Sequence, residues 1–93
     1  MSKDINNIII NYLKDYDPIR IAVFGSYARN DDSPESDIDI LVQFSKRVSL
    51  FDLGGMKYDL TELLNRPVDL VTEGGLNKVL KPYVNKDLKI IFE

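Results

Sequence analysis

Ser36-Asp37-Ile38-Asp39-Ile40-Leu41-Val42 sets two carboxylates among isoleucines and then runs into continuous apolar sequence, the period of two that marks a β-strand. A strand is predicted over Asp37 to Phe44. Residues two apart project from one face, so Asp37 and Asp39 point together while Ile38, Ile40 and Val42 point the other way into a core. Two carboxylates on one wall repel each other and raise each other's pKa unless a cation neutralises them. A bare Asp-x-Asp is also what a solvated strand end carries, so the pair needs company before it means chemistry.

Upstream, Arg20 to Phe24 is short, β-rich and almost wholly apolar, a strand buried on both faces. Gly25 stops it, Ser26 to Arg29 makes a helical turn, and Asn30-Asp31-Asp32-Ser33-Pro34-Glu35-Ser36 is a polar loop rich in turn residues. Further back, Ile5, Ile8, Ile9, Tyr12, Leu13 and Tyr16 recur with helical spacing behind an N-cap at Ser2, and Pro18 is expected to end that helix.

Downstream, Ser49-Leu50-Phe51-Asp52 reads as a capping box opening a helix that carries Leu50, Leu53, Met56, Leu60, Leu63 and Leu64 and closes at Asn65-Arg66-Pro67. Gly54 and Gly55 inside it cost about 1 kcal/mol each relative to alanine, so loose or kinked first turns are expected. Val68 to Val71 is a third strand and Thr72-Glu73-Gly74-Gly75 a turn. Leu76, Val79, Leu80 and Tyr83 mark a short helix interrupted near Pro82, and Leu88 to Phe92 a last strand. Strands alternating with helices predict an α/β (α+β) fold, a small mixed sheet with helices packed on it. The 93 residues suffice for one compact domain, taken as residues 1–93.

Composition excludes several chemistries. The chain has no cysteine and no histidine, which rules out disulfides, thiolate or imidazole metal sites and Ser-His or Cys-His nucleophiles. A metal must be held by carboxylates, which suits magnesium or manganese. A net charge of −3 is not the basic footprint of a nucleic-acid binder, so no direct nucleic-acid partner is expected. Met1-Ser2-Lys3-Asp4 lacks the n-region and h-region of a signal peptide. Apolar runs such as Ile8-Ile9-Ile10 are too short to span a bilayer. The expectation is a cytoplasmic chain without membrane contact.

Two more features bear on Asp37 and Asp39. In Pro67-Val68-Asp69-Leu70-Val71 a lone aspartate faces opposite to its apolar neighbours, so it stands either at an exposed strand edge or in a polar site. Gly25-Ser26, where a buried strand becomes a helix start, offers backbone N–H groups, a hydroxyl and a positive helix end to an anion, although glycine at a strand end is common for geometric reasons. Arg29, one turn on, could fork onto a phosphate or pair with an acid. The Walker and dinucleotide glycine patterns are absent, and an EF-hand fails because Val42 and Val48 stand where glycine and glutamate are needed.

The ordered set Gly25-Ser26-Tyr27-Ala28-Arg29-Asn30, Ser36-Asp37-Ile38-Asp39-Ile40-Leu41-Val42 and Val68-Asp69-Leu70-Val71 resembles the minimal nucleotidyltransferases of the DNA polymerase beta superfamily. The likeness spans nearly the whole chain. Asn30 stands where that family usually has glycine, and asparagine also tolerates a left-handed turn. The resemblance implies a palm-like fold. It also implies two magnesium ions (or manganese) on Asp37 and Asp39, with Asp69 completing the acceptor-side ion and acting in catalysis, and Gly25, Ser26 and Arg29 on the triphosphate of ATP. Small members resemble antitoxins paired with HEPN ribonuclease toxins, in which AMP passes to a toxin tyrosine. That makes a HEPN toxin the expected partner, in a homo- or hetero-oligomer. Two alternatives stand beside it: a module that masks its partner by contact, and an aminoglycoside-type small-molecule transferase.

Overall fold

A computed structural model describes residues 1–75 and 81–93. Helix α1 (Lys3–Leu13) opens at Ser2, whose hydroxyl accepts a hydrogen bond from the Ile5 amide at 3.2 Å, so the N-cap read from the sequence is in place. A 3-10 turn, Lys14–Tyr16, follows, and Asp17 at φ 61° turns the chain into strand β1 (Pro18–Phe24). Pro18 is therefore the first residue of the strand. The helical run is ended by the left-handed backbone at Asp17, not by Pro18.

Helix α2 (Gly25–Arg29) follows β1 with no intervening residue, and Asn30 closes it in the left-handed conformation at φ 63°. After the 30–37 loop come β2 (Ile38–Phe44), α3 (Leu50–Leu64), β3 (Val68–Thr72) and a 3-10 turn, Glu73–Gly75. Helix α4 (Lys81–Asp87) and strand β4 (Lys89–Phe92) complete the described chain. The sheet order is β3-β2-β1-β4. Strands β2 and β3 are parallel, joined through α3, and the other two pairings are antiparallel, so the sheet is mixed as expected.

The pleat of β2 sorts its residues between two cores. Ile38, Ile40 and Val42 join Ile21, Val23 and Val68 from the sheet with Ile9, Leu13, Met56 and Leu60 from α1 and α3. On the opposite face Ala22 and Leu41 meet Val84 of α4, with Phe24, Val71 and Leu88 at the margin. Strand β1 is thus buried on both faces at Ile21, Ala22 and Val23, which explains its continuous apolar reading.

Several expectations change at residue level. Asp37 lies one residue before β2 rather than in it. Helix α3 runs unbroken through Gly54 and Gly55, where an added Cβ would meet nothing within 4 Å. Of the six positions expected to form its apolar face, Met56 and Leu60 are buried and Leu53 and Leu64 pack at the core's edge, while Leu50 and Leu63 face solvent. Leu76, Val79 and Leu80 of the predicted fourth helix, and with them the expected interruption before Pro82, lie outside the described residues; the helix described there is Lys81–Asp87, with Pro82 as its second residue. Among the described residues no helix is long and apolar enough to cross a membrane.

Tyr27 locks α2 to the start of α1. Its ring is buried, and its hydroxyl accepts from the Ser2 amide at 3.1 Å and lies 2.6 Å from Asn6 Oδ1 and 3.0 Å from the Ser2 carbonyl. Burial holds the phenol's pKa above its ordinary value. Removing the hydroxyl strands partners in a partly buried place, so Tyr27→Phe is expected to lower unfolding free energy by about 1–3 kcal/mol, measured by urea denaturation.

Candidate active site

β1 and β2 pair so that Phe24 lies opposite Asp39, and β2 and β3 pair so that Asp39 lies opposite Asp69. Asp39 therefore sits in mid-sheet with the end of β1 on one side and Asp69 on the other. It shares its face with Leu41, on the α4 side, because the alternate residues fill the first core. Asp69 is exposed on the edge strand, so the two settings open to it, strand edge and polar site, coincide. Asp37 is exposed just before the strand.

Gly25 closes the other side. Its φ is 71°, and a Cβ there would fall within 3.2 Å of the Asp39 carboxyl carbon. The Asp39 carboxylate thus lies directly against the Gly25 backbone, an approach that only a residue without a side chain permits. Gly25 and Ser26 form the first turn of α2, and the Ser26 hydroxyl has no hydrogen-bond partner among the described residues.

The electrostatics follow from this crowding. Asp39 is half-buried, and its pKa is pushed up to about 6, first by burial and then by the Asp69 and Asp37 carboxylates, with the Arg29 guanidinium pulling the other way. Among the described residues none of the three aspartates has a salt-bridge partner or a side-chain hydrogen bond. Nor, among the described residues, do three acidic side chains stand gathered as a finished metal cage. The donors are oxygen only and face one patch, which fits a hard divalent cation in type.

Arg29 is engaged elsewhere. Its Nη1 donates to Asp87 Oδ2 at 2.9 Å and its Nε to Asp31 Oδ2 at 3.1 Å, so it ties α2 to α4 and to the following loop. The structure therefore brings Gly25, Ser26, Asp39 and Asp69 to one patch with Asp37 at its margin, and leaves Arg29 near it but bound to two carboxylates. Sequence reading missed Arg66. Its Nε donates to the Ser36 carbonyl at 3.1 Å and its Nη2 to Asp32 Oδ2 at 2.9 Å. The residue was visible only as part of a turn, and nothing local shows that it reaches back 30 positions. A cleft of about 420 Å3 edged by Phe44, Lys46, Arg47, Leu53, Thr72 and Glu73 opens at the far end of β2 from the aspartates.

A sheet with an antiparallel β1–β2 pair that sets Gly-Ser beside Asp-x-Asp, and a parallel neighbour that adds a third aspartate, defines a nucleotidyltransferase. The nucleotidyltransferase domain family model matches residues 7–92, and the chain belongs to that family. It is 44% identical over 78 residues to "Putative protein adenylyltransferase MJ0435" of Methanocaldococcus jannaschii, covering 84% of each chain. A toxin-antitoxin crystal structure with AMP-PNP superposes at a TM-score of 0.86 with 29% identity, over 94% of this chain and 72% of the other. A tri-AMPylated Shewanella oneidensis HEPN toxin in complex with MNT antitoxin matches at 0.82 and 28%, over 99% and 72%.

Two consequences are measurable. The folded-state pKa of Asp39 lies above its unfolded value, so its neutral form stabilises the fold in full below about pH 4, and that stability is lost as pH rises through about 6. In chelator, Asp39→Asn is therefore expected to melt above wild type at pH 7, with the gap closing towards pH 4. Gly25→Ala adds a left-handed alanine, costing roughly 1–2 kcal/mol, and displaces the Asp39 carboxylate. Nucleotide transfer is expected to vanish in a protein that still folds by circular dichroism.

Proposed function

We propose that this chain, folded as one catalytic domain over its 93 residues, transfers AMP from ATP to a tyrosine hydroxyl of a HEPN toxin and so serves as its antitoxin. The observation that carries the reading is Asp39: a half-buried carboxylate with two others near it, no cation paired to any of them among the described residues, and a glycine backbone against it. Burying such a group is unfavourable unless a ligand completes it.

Asp37 and Asp39 would hold the divalent cations, Mg2+ or Mn2+, and Asp69 would complete the acceptor-side position. When bound, the metal supplies charge neutralisation at the triphosphate and acidifies the acceptor hydroxyl. The remaining work falls to the chain. Gly25, lacking a side chain, lets the Asp39 carboxylate lie against its backbone, and the Ser26 hydroxyl, without a partner among the described residues, can donate to a phosphate oxygen. Arg29 reaches a phosphate by exchanging Asp31 or Asp87 for it. With no histidine in the chain, the acceptor proton passes to a carboxylate, and Asp69, exposed on an edge strand, is the base an incoming protein can approach.

A macromolecular acceptor is supported by the surface. Leu50, Phe51 and Tyr58 on the outer side of α3 are 87%, 91% and 66% exposed, apolar area of the kind that protein contacts cover. The resemblance to toxin-antitoxin complexes, one with an AMPylated HEPN toxin, points the same way.

Incubation with α-labelled ATP, Mg2+ and a purified HEPN partner is expected to move label onto the partner. Asp69→Asn is expected to bind ATP and fail to transfer it. Near-normal turnover by that variant rules out Asp69 as the base, and a tight complex without label identifies a masking protein instead.

A further inference from the structure

Asp37 is held in place by what flanks it. Five of the nine residues 31–39 are acidic, and the loop that delivers Asp37 would swing away from Asp39 and Asp69 if left to their mutual repulsion. Two contacts prevent this. On the far side of Asp37, the Ile38 amide donates to the Pro67 carbonyl at 2.9 Å. On the near side, the Ser36 carbonyl accepts from Arg66 Nε at 3.1 Å and from Nη2 at 3.0 Å, and Nη2 also holds Asp32 Oδ2 at 2.9 Å. The Arg66 and Asp32 side chains are only 11% and 19% exposed, so the pair is shielded from the screening that weakens surface ion pairs.

Both anchors belong to the chain just before Asp69. Pro67 and Arg66 are its second and third predecessors, and Ile38 lies opposite Val68 in the parallel ladder. The arginine that grips the loop is therefore rigidly connected to the strand that carries the third carboxylate.

We infer that Arg66 is a positioning residue that sets the separation of Asp37 from Asp69 and thereby the affinity of the site for its divalent cation. The inference rests on the metal-dependent reading above and adds to it a residue outside the carboxylate set. Arg66 acts through the Ser36 carbonyl and Asp32, the groups it holds. Its planar fork matters, because one guanidinium meets a carbonyl and a carboxylate at once, which a lysine ammonium on a flexible stem matches poorly.

The test is Mn2+ binding to the full-length chain, followed by electron paramagnetic resonance in the presence of AMP-PNP, with label transfer to the partner measured in parallel. Loss of a group that orients metal ligands typically weakens metal binding about 10–100-fold. Arg66→Gln is expected to weaken Mn2+ binding by about that factor and to raise the metal concentration for half-maximal transfer equally. Its turnover at saturating metal and its complex formation with the partner should stay near wild type, while its melting temperature falls because Asp32 and the Ser36 carbonyl lose a largely buried partner. Arg66→Lys should recover part of the affinity. Asp32→Asn, which leaves the Ser36 contacts intact, should show a smaller loss of the same kind, and it decides the matter if Arg66→Gln does not fold. Wild-type Mn2+ affinity in folded Arg66→Gln, or in Asp32→Asn where the arginine variant does not fold, overturns the role of Arg66. No Mn2+ binding by wild type overturns instead the metal-dependent reading on which it rests.

Discussion

The register of β2 against its two neighbours is the constraint on which the molecule depends. Phe24 and Asp69 both stand opposite Asp39, so a slip of one residue in either pairing would send the carboxylates into the hydrophobic core. What prevents the slip is the other face of the same strand. Ile38, Ile40 and Val42 are fully buried against α1 and α3, each worth roughly 1.5–3 kcal/mol of burial. The site's electrostatic strain and the core's stability are two faces of one strand.

Around this strand the cations are arranged to restrain acidic loops rather than to fill the site. Arg66 holds Asp32, Arg29 holds Asp31 and Asp87, and Arg20 holds Glu73 at 2.5 Å. No such pair reaches Asp37, Asp39 or Asp69 among the described residues. Part of the chain's acid is in this way matched within the fold, while Asp37, Asp39 and Asp69 have no such partner among the described residues. Burial first, and then the neighbouring Asp69 and Asp37 carboxylates, give Asp39 its raised pKa.

The same division governs the helices. Helix α3 uses a narrow stripe, Met56 and Leu60 with Leu53 and Leu64 beside them, to cover the sheet, and its outer side carries Leu50, Phe51, Gly54, Gly55 and Tyr58. Counting leucines at helical spacing therefore overstated the buried face. Leu50 and Leu63 fall in that spacing, yet both are exposed. The glycines show the reverse case: a propensity cost of about 1 kcal/mol each does not break a helix whose following turns are fixed by packing.

What the sequence determined by itself were the features set by neighbours along the chain. These were the N-caps at Ser2 and Ser49, the alternation that turns Ile38 from Asp39, the strand buried on both faces at Ile21 to Val23, and the oxygen-only chemistry that follows from lacking histidine and cysteine. Each depends on backbone periodicity or residue type, which a single chain displays directly. Tertiary structure alone decided that Asp69 lies opposite Asp39, that Gly25 lies against its carboxylate, that Arg29 is bound to Asp87, and that Arg66 reaches back to Ser36. Those contacts join residues far apart in sequence, and their geometry is set by sheet order and core packing rather than by any local preference of the residues that make them.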